Sequence, residues 1–206
     1  MSLTDQTRRM SSTDIRRSRV QTLAKPARRT VELRQWRPTD AVSLHGMLAH
    51  DETLQRELGR GDVSTVVGCA DVITAFLAVS LPSLQNFAIS VGGRAVGNVA
   101  VSHMEHRHDT GWISYWVAVE ARGQGLATRA VASAARWAFA DRDLFRLELS
   151  HGVSNPASCR VAVRAGFAAE GVERQKLRSN AERIDVETHA RLVVDPAPAL
   201  ALIPVR

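Results

Sequence analysis

The sequence predicts an α+β domain, a mixed β-sheet with helices laid on its faces. Three observations carry this expectation. From Asn86 onward the apolar residues recur at every second position, the period of a strand with one face in a core. Gly92-Gly93 separates two such runs and reads as the turn of a tight hairpin. A further apolar run, Trp112 to Val119, feeds the glycine-bearing stretch Arg122-Gly123-Gln124-Gly125-Leu126-Ala127, after which the spacing is helical from Thr128 to Ala140.

Order is expected to begin near Thr30, where Val31, Leu33 and Gln35 alternate with charged residues as a first strand. Pro38-Thr39-Asp40 punctuates the chain. Ala41 to His50 then reads as a helix with Val42, Leu44, Met47 and Leu48 on its apolar side. A second helix is expected between Ser64 and Val79, with Val67, Ala70, Ile73 and Leu77 at helical spacing, until Leu81-Pro82-Ser83 breaks it. Asn86 to Val91 and Ala95 to His103 form the hairpin. Glu105 to Thr110 is a polar loop tip, and Trp112 to Val119 the next strand. A helix from Gln124 to Ala140 follows, then a strand from Leu144 to Ser150, a helix from Asn155 to Ala165 and a short strand from Phe167 to Val172. Arg174 to Ala181 reads as a hairpin loop and Ile184 to Val194 as the closing strand. Residues 196–206, with Pro196, Pro198 and Pro204, should form an irregular tail. There is no internal repeat.

The composition sets bounds. A chain of 206 residues with 45% apolar content fits one ordinary domain and argues against wholesale disorder. No window approaches the roughly 20 continuous apolar residues of a membrane helix, and the N-terminus lacks the apolar core of a secretory signal. Cys69 and Cys159 are too few for a disulfide framework and lack metal-ligand spacing. A reducing, cytoplasmic setting is therefore expected. The net charge of +6 belongs to the N-terminus, because residues 1–30 hold eight basic groups against Asp5 and Asp14 while the remainder is balanced. Residues 1–29 read as a solvated, largely disordered extension, the alternative being a tail that steers the protein to RNA, ribosomes or an acidic partner.

A glycine turn that opens a helix is a standard anion cradle. The first helical N–H groups lack partners, the helix dipole adds positive charge, and glycine lets the backbone come close. Asn155-Pro156 is a second helix start, with Asn as cap and Pro at the first helical position.

Tyr115 through Phe167 resembles the GNAT acetyltransferase superfamily, more closely its RimJ/RimL branch. The matching residues are Tyr-Trp-Val-Ala-Val-Glu-Ala-Arg-Gly-Gln-Gly-Leu-Ala-Thr-Arg-Ala-Val, then Leu-Glu-Leu, then Asn-Pro-Ala-Ser-Cys-Arg-Val-Ala-Val-Arg-Ala-Gly-Phe. Weaker similarity covers residues 30–195. The glycine turn alone would be a weak signal; joined to the Asn-x-Ala-Ser helix and the Ala-Gly-Phe ending it is specific. The resemblance implies the GNAT fold, with a mixed, mostly antiparallel sheet flanked by helices on both faces. It further implies acetyl transfer from acetyl-CoA, with no metal, to an amine acceptor: the N-terminal amine of a protein or a small amine such as an aminoglycoside, polyamine or amino acid derivative. A non-catalytic acyl-CoA-binding module is the other reading, and a homodimer stays open.

By the resemblance, the backbone of Gln124, Gly125, Leu126, Ala127 and Thr128 would hold the CoA pyrophosphate, with Gly123 in the turn and Arg122 adding charge. The strand carrying Val117 and Val119 would run beside the pantetheine arm, a backbone N–H near Val117 meeting the thioester oxygen. Asn155 gains a cofactor role beside its capping role. Many relatives carry a tyrosine further along that helix to protonate the thiolate; here Ala162 stands there, so Ser158 becomes the candidate acid. Glu148, in the Leu-Glu motif, would be the general base, against the alternative of a surface glutamate paired with Arg146 or Arg160. His151 could assist proton movement near Glu148. His103, His106 and His108, with Glu105 and Asp109, read as a solvated loop and Cys159 as a small core residue. Trp36, Trp112, Trp116 and Trp137 read as core or cleft lining.

Overall fold

The computed structural model describes residues 29–58, 61–179 and 182–206. The expected basic extension therefore lies outside the described residues, apart from its last position. The chain begins with β1 (Val31–Arg34), a 3-10 turn (Pro38–Asp40) and three short helices, α1 (Ala41–Leu48), α2 (Glu52–Leu58) and α3 (Val66–Val72). A π-helical turn, Ile73–Leu77, extends α3. Then come β2 (Ser80–Leu81), β3 (Leu84–Val91), β4 (Arg94–Glu105) and β5 (Thr110–Val117). After a second 3-10 turn, Val119–Ala121, follow α4 (Leu126–Asp141), β6 (Arg146–Gly152), α5 (Pro156–Arg164), β7 (Ala168–Ser179) and β8 (Glu182–Leu192).

The strands form a single sheet in the order β1-β3-β4-β5-β6-β8-β7, with β2 added beside β3. All neighbours are antiparallel except β5 and β6, which α4 connects as a parallel pair. That parallel ladder is short: Thr110, Gly111 and Trp112 face Arg146, Leu147 and Glu148. Past these residues β5 stays with β4, as far as the pair Val117–Gly97, and β6 stays with β8, as far as Gly152–Val186. The two halves of the sheet thus part at Trp112 and Glu148.

The expected hairpin is present. Gly92 and Gly93 have φ of 61° and 86°, and Val91 pairs with Arg94 across them, the backbone a two-residue turn requires. The N-terminal helices differ from expectation in detail. Val42 and Val67 are 68% and 73% exposed, so the apolar faces are Leu44, Met47 and Leu48 on α1, and Cys69, Val72, Ile73 and Leu77 further on. The spacing that suggested Val67 runs one step out of phase, because α3 begins only at Val66 and then widens into the π turn. The helix α2 is additional to the sequence reading. The loop expected at 174–181 is instead the far part of the β7–β8 hairpin. Its residues from Gly171 to Arg178 are exposed, so no apolar alternation marks them as strand, and two bulges interrupt the register.

The C-terminal segment has no regular element, as expected, yet it is tied down. The Leu33 N–H donates to Pro204 C=O (2.8 Å), the Arg206 N–H to Leu33 C=O (2.9 Å), and the Ile203 N–H to Ser133 Oγ (2.8 Å). The tail thereby covers the free edge of β1. A buried polar chain anchors the other face of the sheet: Trp36 Nε1 donates to Asn98 Oδ1 (2.8 Å), Asn98 Nδ2 to Asn86 Oδ1 (3.3 Å) and Asn86 Nδ2 to Phe76 C=O (3.2 Å).

Arg34 and Asp40 are 4% and 5% exposed and form a two-pronged pair, Nη1 to Oδ2 at 2.7 Å and Nη2 to Oδ1 at 2.8 Å. Asp40 also accepts the Arg37 N–H, and Arg34 donates to Gly93 C=O. The hydrogen bonds to Asp40 raise the Arg34 pKa. Removing one partner strands a buried charge, so Asp40→Ala should destabilise the domain by about 3–5 kcal/mol in urea unfolding. A loss below about 1 kcal/mol would show that solvent reaches the unpaired guanidinium.

Candidate functional site

The parting of β5 and β6 opens a cavity of about 540 Å³ between β5, the start of α4 and the first turns of α5. Val117, Arg122, Gly123, Gly125, Leu126, Ala127, Thr128, Asn155 and Ser158 all line it; Val119, Gln124 and Glu148 do not. Val119 belongs to the 3-10 turn and is 47% exposed, so the strand expected to reach it ends two residues earlier. Gln124 turns its side chain back to the Glu120 C=O.

The glycines explain the shape of the turn. Gly123 and Gly125 have φ of 76° and 71°, and a Cβ built on either would meet nothing within 4 Å. The left-handed backbone favours glycine, and the missing side chains leave open space over it. Gly125 caps α4, whose first bond runs from the Arg129 N–H to the Gly125 C=O at 3.1 Å. The N–H groups of residues 126–128 consequently have no acceptor within the helix. Gap-facing backbone also comes from β5. The Ala118 N–H bonds the Val96 C=O on β4 (2.9 Å). By strand alternation the polar groups of Val117 face the opposite way, into the gap, where Arg122 Nε holds the Val117 C=O at 3.0 Å.

Asp51, Thr53 and Leu54 form a further wall that the sequence reading missed. Asp51 precedes α2 and accepts the Leu54 N–H at 3.0 Å, and the Arg122 guanidinium reaches across the cavity mouth to its carboxylate. Burial pushes the Asp51 carboxyl up, but the Leu54 N–H and Arg122 outweigh it and hold the pKa below the ordinary value. The signal was present in Asp51-Glu52-Thr53-Leu54, an acidic helix start followed by Leu54 and Leu58 four apart. Arg160 and Arg164, one helical turn apart on α5, add positive charge to the lining.

Asn155 caps α5 as expected, its Oδ1 accepting the Ser158 N–H at 3.1 Å. Ser158 Oγ has no backbone partner among the described residues. It lies beside the Tyr115 hydroxyl, which is buried without a hydrogen bond of ordinary geometry. Burial raises the Tyr115 pKa, and interaction with Ser158 opposes the rise. The chain's single tyrosine therefore approaches Ser158 from β5, while Ala162 is fully buried in the core.

Glu148 sits at the last paired position before the gap. Along β6, Leu147, Leu149 and His151 are buried while Glu148 and Ser150 are half-exposed, so Glu148 points to the other face of the sheet. Arg146 Nε donates to Glu148 Oε1 at 2.6 Å, and the same guanidinium binds Glu170 on β7. These carboxylates, Glu170 foremost, raise the Arg146 pKa, and Arg146 in turn holds Glu170 below the ordinary carboxylate range. His151 is on the opposite face from Glu148 and meets His189 and Glu187, which corrects the expectation that it assists Glu148. Cys159 is half-buried beside Glu187; burial first, then that carboxylate, raises its pKa. His106 and His108 sit on a turn that Glu105 organises, accepting from the Arg107 N–H (2.8 Å) and from Thr110 Oγ1 (2.9 Å), whereas His103 lies within β4 at a register shift. Trp36 is buried, Trp116 lines the cavity, Trp137 packs edge-on against Phe87, and Lys176 stands over Trp112.

Residues 30–168 match an acetyltransferase (GNAT) domain family. The chain is 29% identical over 107 residues to the ribosomal-protein-serine acetyltransferase of Escherichia coli K12, across 52% of this chain and 60% of that protein. It is also 29% identical over 100 residues to the putative ribosomal N-acetyltransferase YdaF of Bacillus subtilis 168, across 48% of this chain and 55% of that protein. The match thus spans somewhat more than half the length of either relative. Two solved structures share the fold. One is RimL, a ribosomal L7/L12 alpha-N-protein acetyltransferase in complex with coenzyme A, at 23% identity and TM-score 0.67 over 80% of this chain and 94% of that one. The other is RimJ of Mycobacterium smegmatis with a CoA disulfide, at 24% identity and TM-score 0.69 over 81% and 85%. No helix among the described residues is long and apolar enough to cross a membrane. By its sequence match, its parted sheet and its glycine-opened α4, the chain belongs to the GNAT acetyltransferase family.

Proposed function

We propose that this protein transfers an acetyl group from acetyl-CoA to the N-terminal amine of a protein. The observation that carries the reading is the juxtaposition, in one cavity, of the open glycine cradle at α4, the backbone of Val117 in the gap and the Ser158 hydroxyl. The pyrophosphate binds the N–H groups at 124–128, with Arg122, Arg160 and Arg164 as counter-charges. The pantetheine arm enters the gap as an added strand beside β5, and the Val117 N–H faces the thioester oxygen as it becomes negative.

The two faces of the sheet divide the proton work. The amine arrives on the Glu148 face and attacks the thioester carbon, forming the amide bond as the carbon–sulfur bond breaks. Glu148 takes the proton the amine loses, directly or through water, with Arg146 fixing the carboxylate. On the other face Ser158 supplies a proton to the departing thiolate, and the adjacent Tyr115 hydroxyl replaces that proton. The protein acceptor is supported by the relatives named as ribosomal acetyltransferases.

Mass spectrometry of a panel holding free N-terminal peptides, polyamines, aminoglycosides and amino acids, with acetyl-CoA, should show acetyl gain on the peptides; gain on the small amines alone would reject the protein acceptor. Glu148→Gln should lower kcat by roughly 100-fold or more with CoA affinity unchanged, and an unaltered kcat would remove Glu148 as the base. Ser158→Ala and Tyr115→Phe should each lower kcat, and the double variant should lose less than the sum if the two hydroxyls act in series. Gly125→Val forces a left-handed β-branched residue and fills the cradle, so CoA binding by calorimetry should weaken by about tenfold or more.

A further inference from the structure

Outside the cavity, four side chains converge from three elements. His151 on β6, Cys159 on α5, and Glu187 and His189 on β8 bring their ligand-type atoms within 4.8 Å of one another. The sheet makes this convergence. His151 and Glu187 are directly opposed in the β6–β8 ladder, and His189 stands two residues from Glu187 on the same face. The first turns of α5 lay Cys159 over them. His189 and His151 are 1% and 7% exposed, whereas Glu187 and Cys159 are half-buried and leave a way in from solvent.

The hydrogen bonding turns lone pairs inward. His151 Nδ1 is 3.0 Å from the Gly152 C=O, and His189 Nδ1 is 3.4 Å from the Phe167 C=O. A carbonyl only accepts, so each of these contacts takes a ring proton at Nδ1, and in the neutral ring that tautomer leaves the Nε2 lone pair for a ligand. The two Nε2 atoms are 3.1 Å apart, and each is 3.2 Å from Glu187 Oε2. The three atoms stand at the corners of a small triangle, and the Cys159 thiol bonds the same carboxylate. A single proton serves one edge of that triangle, whereas a cation at the centre satisfies all three.

We propose that His151, Cys159, Glu187 and His189 form a tetrahedral zinc site. The donor set, two imidazoles, a thiolate and a carboxylate, is of the type zinc takes. Zinc bonds of about 2.0–2.1 Å to nitrogen and oxygen place those ligand atoms about 3.3–3.4 Å apart, so the three edges between His151, His189 and Glu187 need to open by only a few tenths of an ångström, and Cys159 Sγ, within 4.8 Å of them, closes the fourth corner. Nδ1–H groups anchored on backbone carbonyls hold both rings in the ligating tautomer. The charges close as well: on binding, the Cys159 S–H bond breaks and its proton passes to solvent, and thiolate and carboxylate together neutralise the dication. Four protein ligands fill the shell, which makes the ion structural. It fastens the start of α5 to β6 and β8, and because Cys159 follows Ser158 it sets where that hydroxyl stands in the cavity.

The site is tested on the full chain without any acyl donor or acceptor, so the outcome is independent of the acyl-transfer reading. Protein expressed with zinc and purified without chelator should carry stoichiometric zinc by elemental mass spectrometry. After chelator treatment, Co²⁺ should give the intense visible bands of a tetrahedral ion and a thiolate-to-cobalt charge-transfer band in the near ultraviolet. Cys159→Ser should lose the charge-transfer band, and Cys69→Ser should keep it. Glu187→Gln, at a half-buried position, should weaken Co²⁺ by at least roughly 10–100-fold with the far-ultraviolet circular dichroism unchanged. Metal-free purified chain with only weak octahedral cobalt absorption, or a charge-transfer band that survives Cys159→Ser, would overturn the assignment.

Discussion

The parallel ladder between β5 and β6 ends after Trp112 and Glu148, and the rest of the molecule is arranged around that ending. Each strand remains bonded to its outer neighbour, β4 or β8, so each half of the sheet keeps its own ladder where the two part. What is left between them is a pair of strand edges inside the protein. Exposed edges are ordinarily a liability, because their unpaired N–H and C=O groups invite another strand. In the proposed reaction the edge of β5 is the surface against which an extended, amide-bearing arm fits. The cost of leaving backbone groups unpaired is borne where a ligand satisfies them.

The helix that bridges the two strands extends the same feature. A parallel pair needs a crossover, and α4 supplies it. Its entry through Gly123 and Gly125 places the partnerless N–H groups of the first turn at the cavity, while Ala130, Ala134, Ala135 and Ala138 are fully buried. Small side chains along α4 allow that close approach, and they leave the cavity wall to be built by α5. Charge is distributed to match. Arg122, Arg160 and Arg164 line the donor side. The carboxylates Glu148 and Glu170 share Arg146 on the opposite face.

The legibility of these features follows from how local they are. The hairpin at Gly92-Gly93, the glycine cradle and the Asn155 cap were readable because each is settled within a few residues by φ, capping and turn chemistry. The β7–β8 hairpin was not, since exposed strand residues carry no burial period to read. Val42 and Val67 misled because a β-branched residue at roughly helical spacing says nothing of which side the neighbouring element covers. The resemblance marked Ala162 as the position of the helix tyrosine in relatives, but no spacing could say that Tyr115 would come to Ser158 from β5.

The sequence by itself determined the family, the Gly92-Gly93 hairpin, the glycine turn into α4 and the capped start of α5, because those depend on contiguous motifs whose geometry is fixed by short-range sterics and hydrogen bonding. The tertiary structure alone decided that Arg122 would be met by Asp51, and that Glu148 and Ser158 would stand on opposite faces of the sheet. It also decided that His151, Cys159, Glu187 and His189 would share one point. These are contacts between residues far apart in the chain, brought together by strand register and helix placement. Register is set by the burial of whole faces, a property of the assembled sheet that no single segment contains.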